Sequence, residues 1–592
     1  MPGLNESAPR AARRSPLTRG ILLAALLAAG AVLAACEHGQ PLEPDRAAPD
    51  RPSLALNPAC APWLGGQTHT DSILVNTTWT PAGNPHRVDQ LIHIEGTAWL
   101  KLDPGTLVCF GGGGGLRADN GGRVRVVGSA AAPVVLTATD PANGWLGVHL
   151  AGTPAAASVV DHLRLEHTRG AFALATYDDH TASIDSSVFR QNERGLYLWG
   201  YDGQMRRSRV DTVTTAIWPA VTVGRKTSFR QNVIRGAAGV GLAVLGTDSV
   251  LLGNGLVEGS GGVGLQVTTP ASGLLGIAQM RVTGGATYPA EMEVSAFARI
   301  YWAQSHADSL LGNARDTVVI TGGTLAETAH AVPTLPWRVT GAVTVQGTGI
   351  LRAHPGATLA FTSFGKVTAG NGGRVVARGS PAAPVRFTST TSAGWGGLDL
   401  EGAPTASSYL TNVLIENAKD SFGVMSHWDH TVIIDSAVFR QNGSAAYLRG
   451  TNSRISRSRI DTTLIGRPAV IIEANGGVVE STLIRGSRGA GLSVGVYGNI
   501  QVRSCEIRES GGDGIELLGP IDVHNCNLVN NGGWGVDNST AYLVNVEDNW
   551  WGDAAGPTGP NGDGVAPDGW YGSFPVDYTP WRTTPYVLPY VP

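Results

Sequence analysis

Short Val/Ile/Leu runs alternate with Gly, Asn and Asp turns along most of this chain, as in Gly239-Val240-Gly241-Leu242 and Gly489-Ala490-Gly491-Leu492. Amphipathic stretches of about ten residues, which a helical repeat needs, are absent. The apolar residue after each Ser/Asn-containing turn recurs as Phe189, Val210, Ile234 and Val257, in steps of 21, 24 and 23. The same steps separate Phe439, Ile460, Ile484 and Ile507, and Leu528 follows after another 21. The pattern predicts short strands and tight turns on a period of about 21–24 residues.

That period is itself duplicated. Asp185-Ser186-Ser187-Val188-Phe189-Arg190-Gln191-Asn192 returns as Asp435-Ser436-Ala437-Val438-Phe439-Arg440-Gln441-Asn442, an offset of 250 that also relates Trp145 to Trp395 and His180 to His430. Upstream the offset is 251, pairing Pro104-Gly105 with Pro355-Gly356. The copies span most of residues 85–265 and 335–515. Two or three short strands per period fit one coil of a parallel β-helix, where equivalent side chains stack about 4.8 Å apart, apolar columns inward and polar ones outward. The Leu-x-x-Leu-x-Leu pattern of a leucine-rich repeat is missing, and a propeller needs longer units.

Several segments carry a resemblance. Leu102-Asp103-Pro104-Gly105-Thr106-Leu107-Val108, Pro133-Val134-Val135-Leu136-Thr137 and Gly144-Trp145-Leu146-Gly147-Val148 resemble the bacterial right-handed β-helix repeat proteins of the pectate-lyase-like superfamily. Asn549-Trp550-Trp551-Gly552, Gly556-Pro557 and the run to Trp581 are similar to the segment that often closes such proteins. The resemblance implies an all-β, right-handed parallel solenoid. It leaves function open, because that superfamily holds lyases, hydrolases, epimerases and adhesins.

The N-terminus reads as an export signal: Arg10, Arg13, Arg14 and Arg19, then an apolar run from Ile21 to Leu33. Leu33-Ala34-Ala35-Cys36 resembles the bacterial lipobox, which implies cleavage before Cys36 and its lipidation. A plain secretory signal is the alternative; the run is short for a transmembrane helix. The expected organisation is a signal at 1–36, a tether and N-terminal cap at 37–70, a first β-helix half at 71–290, a junction at 291–334, a second half at 335–548 and a cap at 549–592.

Glycine, 80 residues in 592, suits frequent turns, and a formal net charge of −4 gives no basic footprint for nucleic acid. Beyond Cys36, four cysteines remain, an even number that permits disulfides in an exported protein. Cys505 and Cys526 each fall two residues before an anchor, so they are expected to stack in adjacent coils. Parallel Cβ vectors make a bond between them awkward, which favours free thiols. No CxxC pair, P-loop, hydrolase or calcium-loop motif stands in a supporting context, so no cofactor or metal is expected and calcium has no motif behind it. The Gly-rich run Gly111 to Gly115 lacks the Lys-Ser/Thr of a P-loop.

Arg190, Asp211, Arg235 and Glu258, each following an anchor, are expected to form a stabilising outward ladder of alternating charge. Trp145 and Trp395 are expected to be buried at the start of each copy, although aromatic faces also stack on sugars. A candidate site lies at the turn about ten residues before each first-half anchor: Asp178-Asp179-His180, Tyr201-Asp202, Arg225-Lys226 and Thr247-Asp248. There Asp178, Asp179, Arg225, Lys226 and Asp248 are the expected ligand-binding groups, and His180, Tyr201 and Asp202 the candidate proton-moving groups. The second half keeps Asp429-His430 but has Thr451-Asn452 and Ala474-Asn475 instead of the cations. Asp and Asn are ordinary turn residues, so the first reading of the same set is turn bracing, with the Asp-His pair of both halves holding the turn. The expected protein is an outer-membrane or cell-surface lipoprotein, a glycan-binding or surface scaffold or adhesion protein whose partner is a polysaccharide or envelope component. The alternative is a lyase or hydrolase acting on an acidic polysaccharide.

Overall fold

The computed structural model describes residues 58–60, 65–154, 156–246, 249–270, 275–299, 310–404, 406–419, 421–496, 499–566 and 576–588; the export segment, Cys36 and Asp248 lie outside them. The described backbone winds into about 18 right-handed coils of parallel strands. Three strand ladders build the first half. The first face runs from Thr68–His69 to Arg281–Thr283, and the third from Thr77–Trp79 to Leu275–Ala278. On the second face an open ladder passes from Leu91–Ile94 through both halves to Asn527–Val529.

The anchors stack as the period requires. Phe189 pairs with Val210, Val210 with Ile234 and Ile234 with Val257; Phe439, Ile460, Ile484, Ile507 and Leu528 follow one another in the same way. All nine are buried. Each contributes roughly 1.5–3 kcal/mol by leaving water, so the core column holds neighbouring coils together along the axis.

The region 291–334 is not a break between two bodies. After Ala290–Met292 joins the second face, a helix α1, Val294–Arg299, buries Val294, Ala296 and Phe297. It takes the place of a third-face strand. Val318–Ile320 then extends the second face directly on Ala290–Met292. Gly323–Leu325 and Thr328–Ala331 start new ladders that run to Val536–Asn538 and Val523–His524. In chain order these new ladders take the places of the third and first faces. The two copies are therefore out of phase by one face: Phe189 stands on the first face, whereas its counterpart Phe439 stands on the second.

Trp145 and Trp395 are buried core residues. They stack on Phe110 and Phe361 at 4.0 and 4.2 Å, and each indole N–H donates to a backbone carbonyl, of Glu166 or Glu416, at 2.8 Å. The ends are closed differently. A Cys60–Cys109 disulfide ties the entering chain to the first face, whose strands begin at Thr68, slightly before the expected start of the first half. At the far end Trp551 is fully buried, Trp550 bridges to Asn527, and Val544–Asn545 pairs with Val576–Asp577, so this segment covers the last coil. Such cover shields apolar core and strand edges at the solenoid end.

Candidate functional site

The turns chosen from the sequence do stack. Asp178, Asp202, Arg225 and Lys226 all adopt left-handed φ values, between 42 and 56°, which tightens the bend from the second face to the third. Arg225 Nη1 donates to the Asp178 carbonyl at 2.8 Å and lies 3.6 Å from Asp179 Oδ1. Lys226 Nζ sits 2.8 Å from Asp202 Oδ1 and 5.0 Å from the centre of the Tyr201 ring. Both cations are thus already matched by a carboxylate of a preceding turn. Exposed pairs of this kind contribute only a few tenths of a kcal/mol.

His180 corrects the expectation of a proton-moving imidazole. Its ring is fully buried, with Nε2 2.9 Å from Ser158 Oγ and Nδ1 3.2 Å from the Ala151 carbonyl. Burial pushes its pKa below the usual histidine value, partly opposed by the Ala151 hydrogen bond. His430 repeats the arrangement with Ser408 and the Glu401 carbonyl. The shared Asp-His pair supplies an imidazole that braces the turn from inside. Of the candidate proton-moving groups, Tyr201 and Asp202 remain on the surface.

The charged residues after the anchors stack in register, and part of the column forms ion pairs between coils. Arg190 stands in register with Asp211, Asp211 with Arg235, and Arg235 with Glu258; the Arg235 and Glu258 side chains meet at 2.7 Å, whereas Asp211 is paired with Arg209 of its own strand. At its base Glu166 is buried and held by Arg164 at 2.9 Å and Arg190 at 2.7 Å. Glu416 is its counterpart, held by Arg386 and Arg440. Two hydrogen-bonded guanidinium groups per carboxylate explain how a charge stays buried there.

A second surface, not anticipated from the sequence, lies on the outer side of the second face in the first copy. His149 and Tyr177 have ring centres 5.9 Å apart, Tyr177 and Tyr197 5.6 Å, and Tyr197 and Trp199 6.0 Å. Phe172 joins Tyr197 at 5.2 Å and Trp218 at 5.5 Å, and the Arg194 guanidinium lies over both Phe172 and Trp218. Trp218 is 40% exposed, and the neighbouring Ile217 is 85% exposed. Ala175, between His149 and Tyr197 in the ladder, is fully buried beneath the rings. The rings come from four successive coils and span about 15 Å at the coil spacing. Tyr201, two residues beyond Trp199, places the candidate turns at one edge of this surface. Its signal was a Tyr/Trp residue every second position at Tyr197, Trp199 and Tyr201, a period that sends all three outward.

The second copy keeps only part of the surface, repeating the Phe172–Tyr197 pair as Phe422–Tyr447 at 5.4 Å. Tyr177, Arg194, Trp199 and Trp218 correspond to His427, Ser444, Arg449 and Pro468. Because the copies are one face out of phase, these replacements also sit on a different side of the solenoid.

Comparison with known proteins agrees with the architecture. The family model described as a right-handed β-helix region matches residues 402–551, from the second copy into the closing segment. None of the curated proteins matches the chain in sequence. Among solved structures, the PL6-family alginate lyase AlyGC is 9% identical, with 78% of this chain and 94% of that chain covered at a TM-score of 0.15, too low to carry any functional argument. The coil ladder and the family match together make this chain a right-handed parallel β-helix repeat protein.

Proposed function

We propose that this is an exported, envelope-anchored protein that binds a polysaccharide along the aromatic surface of its first copy. The observation that carries the reading is the run of His149, Tyr177, Tyr197, Trp199 and Trp218 over one outer face, with the buried Phe172 packed against Tyr197 and Trp218. Sugar rings present flat C–H faces that stack on aromatic side chains, and a half-exposed aromatic patch held rigidly on a sheet marks an interaction surface. Anchoring through lipidated Cys36 belongs to the same proposal, supported by the lipobox-like run; the Cys60–Cys109 disulfide supports an oxidising, extracytoplasmic setting. The turns at Asp179, Tyr201, Asp202, Arg225 and Lys226 supply a polar rim.

The test is affinity electrophoresis of the exported protein through gels containing neutral or acidic polysaccharides, with ultraviolet absorbance followed for unsaturated products. Retention by at least one polysaccharide, weakened tenfold or more by Tyr197→Ala or Trp199→Ala, is the expected result. Retention unchanged by both substitutions, or by none of the polysaccharides, overturns the proposal. Unsaturated products would transfer the surface to a lyase reading.

A further inference from the structure

We propose that Asp399, Glu401 and His427, on the outer surface of the second copy, bind a divalent transition-metal ion of the zinc class. Asp399 and Glu401 are two residues apart at the end of the strand Leu398–Leu400, so both project outward. In the next coil Leu400 pairs with Ser426, which sets His427 beside Glu401. His427 Nε2 stands 2.9 Å from Asp399 Oδ1 and 3.9 Å from Glu401 Oε1, and one donor atom from each residue falls within 4.8 Å of the other two. Ligand bonds of 2.0–2.2 Å in tetrahedral geometry need donors roughly 3.4 Å apart, so small side-chain rotations suffice.

Two further observations separate this group from ordinary surface carboxylates. First, many carboxylates of this solenoid are matched by arginine: Glu166, Asp185, Glu416, Asp435, Asp461, Glu473 and Glu480 each meet at least one guanidinium, although the neighbouring Glu516 and Asp537 stand in register without an ion pair among the described residues. Among the described residues no arginine or lysine pairs with Asp399 or Glu401; both converge on one imidazole. Second, the duplicate provides an internal control. The same backbone positions in the first copy hold His149, Ala151 and Tyr177, on an equivalent strand Val148–Leu150. The coil therefore forms without these carboxylates, and they are not needed as scaffolding.

The donor set defines the class of ion. One imidazole nitrogen with two carboxylate oxygens suits zinc and its first-row neighbours, whereas calcium and magnesium favour oxygen-only sites with more ligands. Three protein donors on an outer face leave at least one position for water or for an oxygen of a bound ligand.

The experiment is calorimetric titration of Zn²⁺ into the chelator-treated exported protein, with Co²⁺ absorption as a direct report on coordination. One equivalent of Zn²⁺ is expected at low-micromolar affinity or tighter, weakened tenfold or more by His427→Gln and by Asp399→Asn but unchanged by His330→Gln, which alters a separate histidine pair. Circular dichroism melts of the metal-free proteins check folding. His427 is at a partly exposed position, so its variant keeps the test standing if Asp399→Asn misfolds. Absence of stoichiometric binding, binding undiminished in His427→Gln, or preference for Ca²⁺ over Zn²⁺ overturns the proposal.

Discussion

Cys526 Sγ lies 3.4 Å from the backbone nitrogen of Cys505 one coil earlier and accepts its N–H. The same turn position recurs through the solenoid: Ser208 Oγ accepts from Ser187 N at 3.1 Å, Asn232 Oδ1 from Ser208 N at 3.0 Å, Ser458 Oγ from Ala437 N at 3.1 Å and Asn549 Oδ1 from Cys526 N at 2.7 Å. Each acceptor satisfies a buried N–H that the parallel ladder leaves open at the turn. The two thiols are members of this acceptor column, and they are free.

Cys526→Ser should therefore be tolerated, because serine already fills the position at 187, 208 and 458. Cys526→Val should cost about 1–3 kcal/mol by stranding the Cys505 N–H. Burial, followed by hydrogen bonding to Cys505, raises the Cys526 thiol pKa, so native-state labelling by a thiol reagent should be far slower than in denaturant. Chemical denaturation of both variants checks the first point; a Val variant as stable as Ser would remove the acceptor role.

The stacking of Cys505 on Cys526 was legible in the sequence, as were the anchors, the charge ladder and the burial of Trp145 and Trp395, because a fixed period converts spacing into contact. Three features were not. The one-face phase shift arises in a single irregular coil, where α1 replaces a strand without any repeat to count. The inward rotation of His180 depends on a turn whose side chains do not alternate regularly. The aromatic surface and the Asp399–Glu401–His427 group assemble across coils, so their members stand 26 or more residues apart in part, and no short motif contains them.

Glu416 gives the fold an acid-sensitive contact. Burial alone would raise its pKa, but hydrogen bonds from Arg440 and Arg386 outweigh burial and hold it below the ordinary 4.5. A carboxylate depressed in the folded state contributes stability above its unfolded pKa and loses it as pH falls through the folded value. Glu416→Gln should cost roughly 1.5–3 kcal/mol at pH 7, from charged hydrogen bonds, and the difference from wild type should shrink below pH 4.5. Urea denaturation at several pH values measures it; a pH-independent difference would contradict the assignment.

His180 acts in the same direction but at higher pH. Burial lowers its pKa from 6.5, so the unfolded chain binds this proton first and stability falls as pH drops below 6.5. His430 behaves alike. The double variant His180→Gln, His430→Gln should melt lower than wild type at pH 7.5, having lost two bracing contacts, yet lose less between pH 7.5 and 5.5. Parallel melting curves across that interval would show that neither imidazole is buried neutral.

Reducing the Cys60–Cys109 disulfide releases a loop with a sequence separation of 49 residues. Loop-closure entropy puts its contribution at about 4 kcal/mol. In a solenoid, where each coil contacts its neighbours, the loss should fall on the first coils. Amide exchange under dithiothreitol should rise sharply around residues 68–118 and little beyond residue 335. Uniform loss of protection along the chain would mean that the solenoid unfolds as one unit.

The divergence of the two copies supplies the sharpest test of the aromatic surface. Trp199 corresponds to Arg449, whose guanidinium lies over Trp428 and Tyr447 and contacts Glu473 at 2.9 Å. Trp199→Arg places in the first copy a residue the coil is known to accommodate, so folding should persist. Polysaccharide retention should nevertheless fall at least tenfold, because a sugar face loses the ring next to Tyr197 and gains a hydrated charge. The reverse change, Arg449→Trp, should create no new binding: the counterparts of Tyr177 and Trp218 remain His427 and Pro468, so a ring added beside Tyr447 still lacks two members of the surface. Gain of binding in Arg449→Trp, or full retention in Trp199→Arg with an unchanged melting temperature, would show that the rings act separately from the ligand.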